Sequence, residues 1–137
     1  MLAECQFPQE LAKELDVSCT EFNQDNQSVM IFSDDIEILF EKKEDQMHFF
    51  ANILMIDESC EGIILEHVMK GNLLRRGTGK NILGLSDDGK YLTLRNLVSY
   101  EESYEDFKNS IEDFINYLLF WKKEIEEITK RAKASTL

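Results

Sequence analysis

The stretch SVMIFSDDIEILFEKKEDQMHFFANILM, residues 28–55, decides the fold. It holds three β-rich runs, at 28–32, 36–41 and 47–55. Apolar and polar residues alternate along the second and third runs, which is the pattern of strands with one buried face. The links SDD and KKEDQ are short and polar, and such links join antiparallel neighbours. The stretch therefore predicts a three-stranded meander whose short first strand lies at an open sheet edge.

Beyond the meander, the apolar period changes to that of a helix. Ile64 and Val68 belong to a run of apolar residues at helical spacing, which predicts a helix over about 59–73. Asp57 or Ser59 can cap its start, because both side chains accept a hydrogen bond from an unpaired N–H of the first turn.

A hairpin follows this helix. The runs 81–85 (NILGL) and 90–98 (KYLTLRNLV) read as strands, and the SDDG between them ends in Asp88-Gly89, which suits a tight turn.

Two further helices are predicted at the ends of the chain. Phe7, Leu11 and Leu15 form one apolar stripe, and Pro8 suits the first helical position because its missing N–H would be unpaired there. The last helix is long, with acids at its start and bases at its end, as the helix dipole favours. Its apolar residues follow a 4-3 spacing and are Phe107, Ile111, Phe114, Leu118, Trp121, Ile125 and Ile128.

That spacing also fits a coiled coil, but Ile115, Leu119 and Phe120 widen the stripe beyond a narrow seam, which favours a helix packed on a core. The order of elements is thus αβββαββα. We expect an α+β fold, with one antiparallel sheet of about five strands flanked by helices, and a single domain over residues 1–137.

Composition narrows the class of function. The chain has 15 Lys plus Arg against 27 Asp plus Glu, a net charge of −12, so nucleic acid is not an expected partner, since such binding neutralises phosphates with basic side chains. We find no signal peptide at the start, and the apolar runs are shorter than the ~18 residues of a membrane helix. The expected location is the cytoplasm, without membrane insertion.

Some residues suggest motifs of catalysis or cofactor binding, but their spacing does not match what those motifs require. The RRGTGKN loop has Leu74 where a phosphate-binding loop needs its first glycine and Asn81 where it needs Ser or Thr. The two histidines lack metal-ligand spacing, and the three cysteines are far apart with no CxxC pair. The sequence predicts no enzyme, no cofactor and no metal, with Cys5, Cys19 and Cys60 as reduced thiols.

The chain carries more apolar surface than one sheet and its helices need. The second helix is apolar on more than a narrow stripe, and the long last helix can cover only one face of the sheet. This excess suggests burial against another chain.

Four pieces of the sequence, in this order, resemble the Tir chaperone/YopE chaperone family of type III secretion chaperones. They are FPQELAKELDV (7–17), ILEHVMKGNLL (64–74) with Asn72, LGLSDDGKYLTL (83–94), and Trp121 late in the last helix. The resemblance covers about residues 7–128. Pro8 departs from it, because first helices of the family often begin a turn earlier.

The resemblance implies a cytoplasmic chaperone without catalytic residues. It would bind the N-terminal segment of a secreted effector in extended form, and keep that segment soluble and competent for secretion. The implied effector-binding residues are Phe7, Leu11, Leu15, Val29, Ile31, Ile36 and Ile38. The implied dimer interface consists of Ile64, Leu65, Val68, Met69, Leu73 and Ile82. Every one of these residues could instead belong to the core.

The partners implied are an effector, a second copy of the chain or a different chaperone, and the ATPase of the secretion machinery. Two other classes stay open. One is a regulator that binds the transcription machinery, for which residues 67–98 are of interest because they hold six bases against two acids, with Arg75, Arg76 and Lys80 among the bases. The other is a small enzyme with an unrecognised site.

Overall fold

The structure, a computed structural model, describes residues 5–74 and 80–134, with the backbone alone at 73 and 74. Three α-helices and six strands follow one another along this part of the chain. Their bounds are α1 Phe7–Leu15, β1 Ser18–Cys19, β2 Gln27–Ser33, β3 Ile36–Lys42, β4 Gln46–Met55, α2 Glu61–Leu74, β5 Ile82–Leu85, β6 Tyr91–Ser99 and α3 Tyr104–Ala134. The α+β class and the element order are confirmed, with β1 as an added strand.

The six strands form one sheet in the order β1-β2-β3-β4-β6-β5. The predicted meander is confirmed, since β2 pairs antiparallel with β3, and β3 with β4. The expected open edge at 28–32 is wrong, because β1 pairs with β2 through Ser18 opposite Ile31 and Cys19 opposite Met30. The sheet edges are therefore β1 and β5.

The chain divides into two compact units, and each is described by itself. The first comprises residues 1–51 and 95–113, the second 52–94 and 114–137. Strands β4 and β6 and helix α3 contribute residues to both. The single domain over 1–137 stays a prediction.

In the first unit, one face of the meander is buried in an aromatic core. Phe40 and Phe49 are cross-strand neighbours with ring centroids 5.8 Å apart, and Phe107 of α3 packs 6.0 Å from Phe40. Met30 and Ile38 face the same side and are fully buried. Lys42, at the end of β3, is buried with its ammonium over the Phe22 ring, 4.1 Å from the centroid.

In the second unit, a 3₁₀ turn at Glu58–Cys60 precedes α2. Asp57 caps this turn by accepting a hydrogen bond from the Ser59 N–H at 3.0 Å. The predicted β5–β6 hairpin is confirmed, and Gly89 takes the left-handed conformation (φ 73°) that its turn needs.

Helix α3 is a core helix, which the sequence favoured over a coiled coil. Its seven residues at 4-3 spacing are all buried within the chain, and Ile115 of the wider stripe is buried with them. Leu119 and Phe120 are about half exposed.

Candidate functional site

A cleft of about 380 Å³ in the first unit is lined by residues of helix α1, of the edge strand β1 and of the segments beside them. Its walls are mixed in chemistry, with two carboxylates, one ammonium and a short apolar floor. The lining residues are Gln6, Gln9, Glu10, Ala12, Lys13, Val17, Cys19 and Glu21.

Side chains hold β1 in place. Gln9 of α1 donates from Nε2 to the Thr20 carbonyl (2.9 Å) and to Ser28 Oγ (3.1 Å), and Ser28 donates to the same carbonyl at 2.6 Å. Ser28 is fully buried in β2. A strand of two residues is too short to be stable alone, so this polar cluster fixes the sheet edge.

At Cys19, the backbone N–H and C=O groups of β1 are on the side of the strand that faces away from β2. The Thr20 N–H bonds to the Val29 carbonyl at 3.0 Å, and Ser18 lies opposite Ile31. Residues of an antiparallel strand direct their N–H and C=O groups alternately toward and away from one neighbour. The N–H and C=O of Cys19 therefore point away from β2, on the side of the cleft that Cys19 lines. Burial raises the pKa of the Cys19 thiol.

Helix α1 is fixed by contacts to the start of α3. Lys108 Nζ lies 2.8 Å from Glu14 Oε1, and the Tyr104 hydroxyl donates to Glu14 Oε2 at 2.6 Å. These two hydrogen bonds lower the pKa of Glu14. Burial and the bond to Glu14 raise the pKa of Tyr104 to about 12. Phe7 packs on the Tyr104 and Phe107 rings at 5.5 and 5.6 Å. The helical wall of the cleft is thus held in a defined place.

The structure does not bring the seven predicted effector residues onto one surface. Leu11, Ile36 and Ile38 are buried, so they belong to the core of the chain and not to an exposed groove. A Leu11→Asp change would accordingly disrupt the core and not test binding.

The remaining predicted positions stay predictions. Phe7 is half buried against α3. Val29 and Ile31 lie on the sheet face opposite the buried Met30. Leu15 and Ile31 are 41% and 45% exposed, so both are accessible to a partner.

In the second unit, the end of α2 is joined to the sheet edge β5 by one side chain. Asn72 donates from Nδ2 to the Leu83 carbonyl at 2.7 Å, and its Oδ1 accepts from the Leu83 N–H at 2.9 Å. Beside it, a hollow of about 590 Å³ is lined in part by Glu66, Met69, Lys70 and Asn72.

The predicted dimer residues fall into two groups. Ile64 and Val68 are buried in the second unit, so they are core positions. Met69 of α2 is 70% and Ile82 of β5 52% exposed, while Leu65, about one turn before Met69 on the helix, is half buried. The side chain of Leu73 lies outside the described residues, as do Arg75 and Arg76. The exposed group stays a candidate interface.

Three polar positions of these sites were missed by sequence reasoning. Gln9 was quoted only as part of the first-helix piece and Cys19 lies in a segment without a motif, so only their spatial neighbours give these two residues a role. Asn72 was quoted in the resemblance, but its bonds to Leu83 have no signature along the chain.

The described residues offer little that suggests metal binding, thiol chemistry or membrane insertion. Among residues 5–74 and 80–134, no cluster of three or more His, Cys, Asp or Glu side chains could hold a metal ion. Cys60 is buried, with Sγ 4.0 Å from the Thr129 carbonyl. No helix in the described ranges is both long and apolar enough to cross a membrane.

Comparison with known proteins assigns the family. Residues 6–122 match the Tir chaperone protein (CesT) family. This chain belongs to that family. The match includes α1, the whole sheet, α2 and more than half of α3, so this CesT family member carries the family's sequence pattern through both sites described above.

Solved structures share the fold at low identity. The ExsC–ExsE complex contains a chain that aligns with a TM-score of 0.71 and 13% identity, over 86% of this chain and 90% of that one. The HopA1–SchA chaperone–effector complex gives a TM-score of 0.64 and 11% identity, over 85% and 91%. YbjN of E. coli, which is proposed to be a transcription regulator, gives 0.64 and 15%, over 87% and 88%.

A relative in sequence is the Chlamydia pneumoniae protein CPj0713/CpB0740, which is 34% identical over 58 residues. The match spans 42% of this chain and 44% of that protein.

Proposed function

We propose that this CesT family member is a cytoplasmic chaperone of a type III secretion system, and that it binds the N-terminal segment of a secreted effector in extended form. The observation that carries the proposal is the β1 edge, where the Cys19 backbone groups point away from β2 beside a cleft. An extended peptide can join such an edge through main-chain hydrogen bonds. Family membership and the fold shared with a chaperone–effector complex support the same assignment.

Main-chain pairing suits a chaperone because it tolerates many sequences. The added strand would pair with the outward side of β1 at Cys19, and its side chains would meet the cleft walls. Its polypeptide would remain unfolded, as export through a narrow channel requires. The net charge of −12 would help to keep the complex in solution.

The test is capture of an effector from the source bacterium by a Cys19→Pro variant. Proline removes the outward N–H of residue 19 and is tolerated at a strand edge, so the pairing of β1 with β2 is retained. We expect capture to fall at least about tenfold, the equivalent of one or two net hydrogen bonds. Protection mapping should place the captured segment near the effector's N-terminus.

The matched control is Cys19→Ala, which removes the same thiol but keeps the N–H. It should capture the effector as the wild type does. Full capture by a folded Cys19→Pro variant would show that the β1 edge is not the binding site.

We also propose that the chain forms a dimer, with itself or with a second chaperone, through exposed side chains of α2 and β5 and not through the backbone edge of β5. The apolar residues Leu65, Met69 and Ile82 support this, since exposed apolar patches often mark interfaces. An interaction with the secretion ATPase stays a prediction.

A second candidate function is regulation of transcription by protein contact. The fold shared with YbjN favours it. Copurification separates the two functions, because RNA polymerase subunits would identify a regulator and a single secreted protein would identify a chaperone.

A further inference from the structure

We propose that Asn72 closes the β5 edge of the sheet, so that the chain accepts an added strand at β1 and not at β5. The inference rests on the proposed function and deepens it, because it names the edge that takes the effector. It starts from the pair of hydrogen bonds between the Asn72 amide and the backbone of Leu83.

These two bonds imitate a neighbouring strand. In an antiparallel ladder, a hydrogen-bonded residue pair exchanges one N–H···O bond in each direction. Asn72 gives Leu83 the same two bonds, one donated and one accepted, at 2.7 and 2.9 Å. The N–H and the C=O of Leu83 are thereby both satisfied by the end of α2.

The bonds lie on the outer side of β5. In the sheet formed by the described residues, strand β5 lies at the end and has β6 as its neighbour. The Ser86 N–H bonds to the Tyr91 carbonyl at 2.9 Å, on the inner side. Because backbone groups alternate, Gly84 and Ser86 face β6, while Leu83 and Leu85 face outward.

When the backbone groups of Leu83 are bonded to Asn72, an added strand cannot pair along β5. An added strand pairs with alternate residues of the edge, which here are Asn81, Leu83 and Leu85. The middle position is occupied by Asn72, and the buried Asn81 lies before the strand begins. Among the described residues of β5, this leaves Leu85, beside the turn, as the outward-facing residue that Asn72 does not bond, and a single residue cannot hold a strand. Natural proteins commonly cover sheet edges in this way to prevent unwanted pairing.

The two edges therefore differ. At β1 the outward groups of Cys19 face a cleft, whereas at β5 the outward groups of Leu83 are bonded to a side chain. The effector strand is directed to β1 by the opening of one edge and the closure of the other.

The test uses the chain alone. In Asn72→Ser the hydroxyl is too short to bond both Leu83 groups, and the change adds no apolar surface. We expect the open edge to pair with another copy, so that association beyond the wild-type oligomer strengthens at least about tenfold in sedimentation equilibrium. An unchanged association constant in a folded Asn72→Ser variant would overturn the proposal.

The matched control is the double variant Asn72→Ser/Leu85→Pro. In the double variant the outward N–H of Leu83 is freed, but proline at 85 removes that of the next outward residue and leaves β6 pairing intact. Because one residue cannot hold a strand, the added association should disappear. Association that persists in the double variant would mean that it does not run through the β5 edge, and the proposal would fall. If Asn72→Ser does not fold by circular dichroism, Asn72→Gln takes its place with the same two outcomes, because its longer chain moves the amide out of register.

The readout is independent of any effector. Failure of the Cys19→Pro experiment would count against effector binding at β1, and would leave the closure of β5 to be judged by self-association.

Discussion

Gly71 of α2 lies against the Trp121 ring of α3 in the second unit. A Cβ at this position would lie 2.9 Å from Cη2 and Cζ2 of Trp121 and 3.3 Å from Cδ1 of Leu83. Trp121 is buried, so its ring has little room to move. The absence of a side chain at Gly71 thus brings Asn72 within reach of β5.

We expect Gly71→Ala to lower the free energy of unfolding by about 1–3 kcal/mol, the usual result of overpacking. Gly62→Ala in the same helix is the control, since no atom lies within 4 Å of its Cβ position. That change should be neutral or stabilising by up to about 1 kcal/mol through helix propensity. Urea unfolding of both variants checks this, and equal stabilities would show that the Trp121 contact is unimportant.

Asp57 is a residue whose ionised carboxylate contributes to stability at neutral pH and loses that contribution in acid. Hydrogen bonds from Lys133 (2.6 Å) and from Ser59 lower its pKa from 3.8 to about 2. Because the folded pKa lies below the unfolded one, the stabilisation is present above about pH 4 and is lost as the pH falls toward 2.

Asp57→Asn should therefore be less stable than the wild type at pH 7, and the difference should shrink between about pH 4 and pH 2. Thermal or urea unfolding at several pH values measures it. Asp87→Asn, on the exposed β5–β6 turn, removes the same charge and should leave stability nearly unchanged. A gap between wild type and Asp57→Asn that is independent of pH would contradict the assignment.

At the scale of elements, periodicity predicts most of the fold. The three helices, the meander and the hairpin lie within a few residues of their predicted bounds, because each has an apolar pattern of its own. Strand β1 has none. Its two residues, Ser18 and Cys19, become a strand through bonds made by Gln9 and Ser28 of other elements, and such contacts leave no pattern in the sequence.

The sites were harder to predict for a related reason. An apolar stripe shows that one face of a helix or strand is buried, but it does not show whether the chain's own core or another protein buries it. The sequence left Ile38 between an effector groove and the core, and Val68 between a dimer interface and the core. Both side chains are buried within the chain. Leu15 and Met69, at the margins of the same stripes, are the ones that remain exposed.

Helix α2 is where the proposed dimer can be tested. Met69→Asp should shift the wild-type oligomer to monomer at micromolar concentration, because it places a charge in the apolar flank. Ile63→Asp is the control. Ile63 is exposed on the same helix but about 120° around its axis at 3.6 residues per turn.

Sedimentation velocity measures both variants. A wild-type chain that is monomeric alone and dimerises only with a second chaperone would indicate a heterodimer. Equal effects of the two substitutions would argue against the α2 flank.

At the scale of the whole molecule, exposed apolar side chains favour association between molecules, and the net negative charge opposes it. Large apolar side chains are exposed in both units, among them Ile31, Leu97, Met69 and Ile82. The net charge of −12 at pH 7 supplies a repulsion that keeps such surfaces apart.

We expect this balance to fail near the isoelectric point of about 4.5, where the net charge vanishes. Light scattering should rise as the pH is lowered from 7 to about 4.5 and fall again on return, while circular dichroism shows that the fold is retained. A solution that stays clear at this pH would mean that the exposed apolar residues are too dispersed to associate.

The position of Cys19 gives the cleft a chemical reporter. Only the thiolate reacts with alkylating reagents, and burial raises the pKa of Cys19, so its labelling should be slow in the free protein. A peptide in the cleft would slow it further, while labelling of Cys60, buried in the second unit, should depend on unfolding. Mass spectrometry of the labelled chain could then follow occupancy of the cleft in living cells, without any engineered tag.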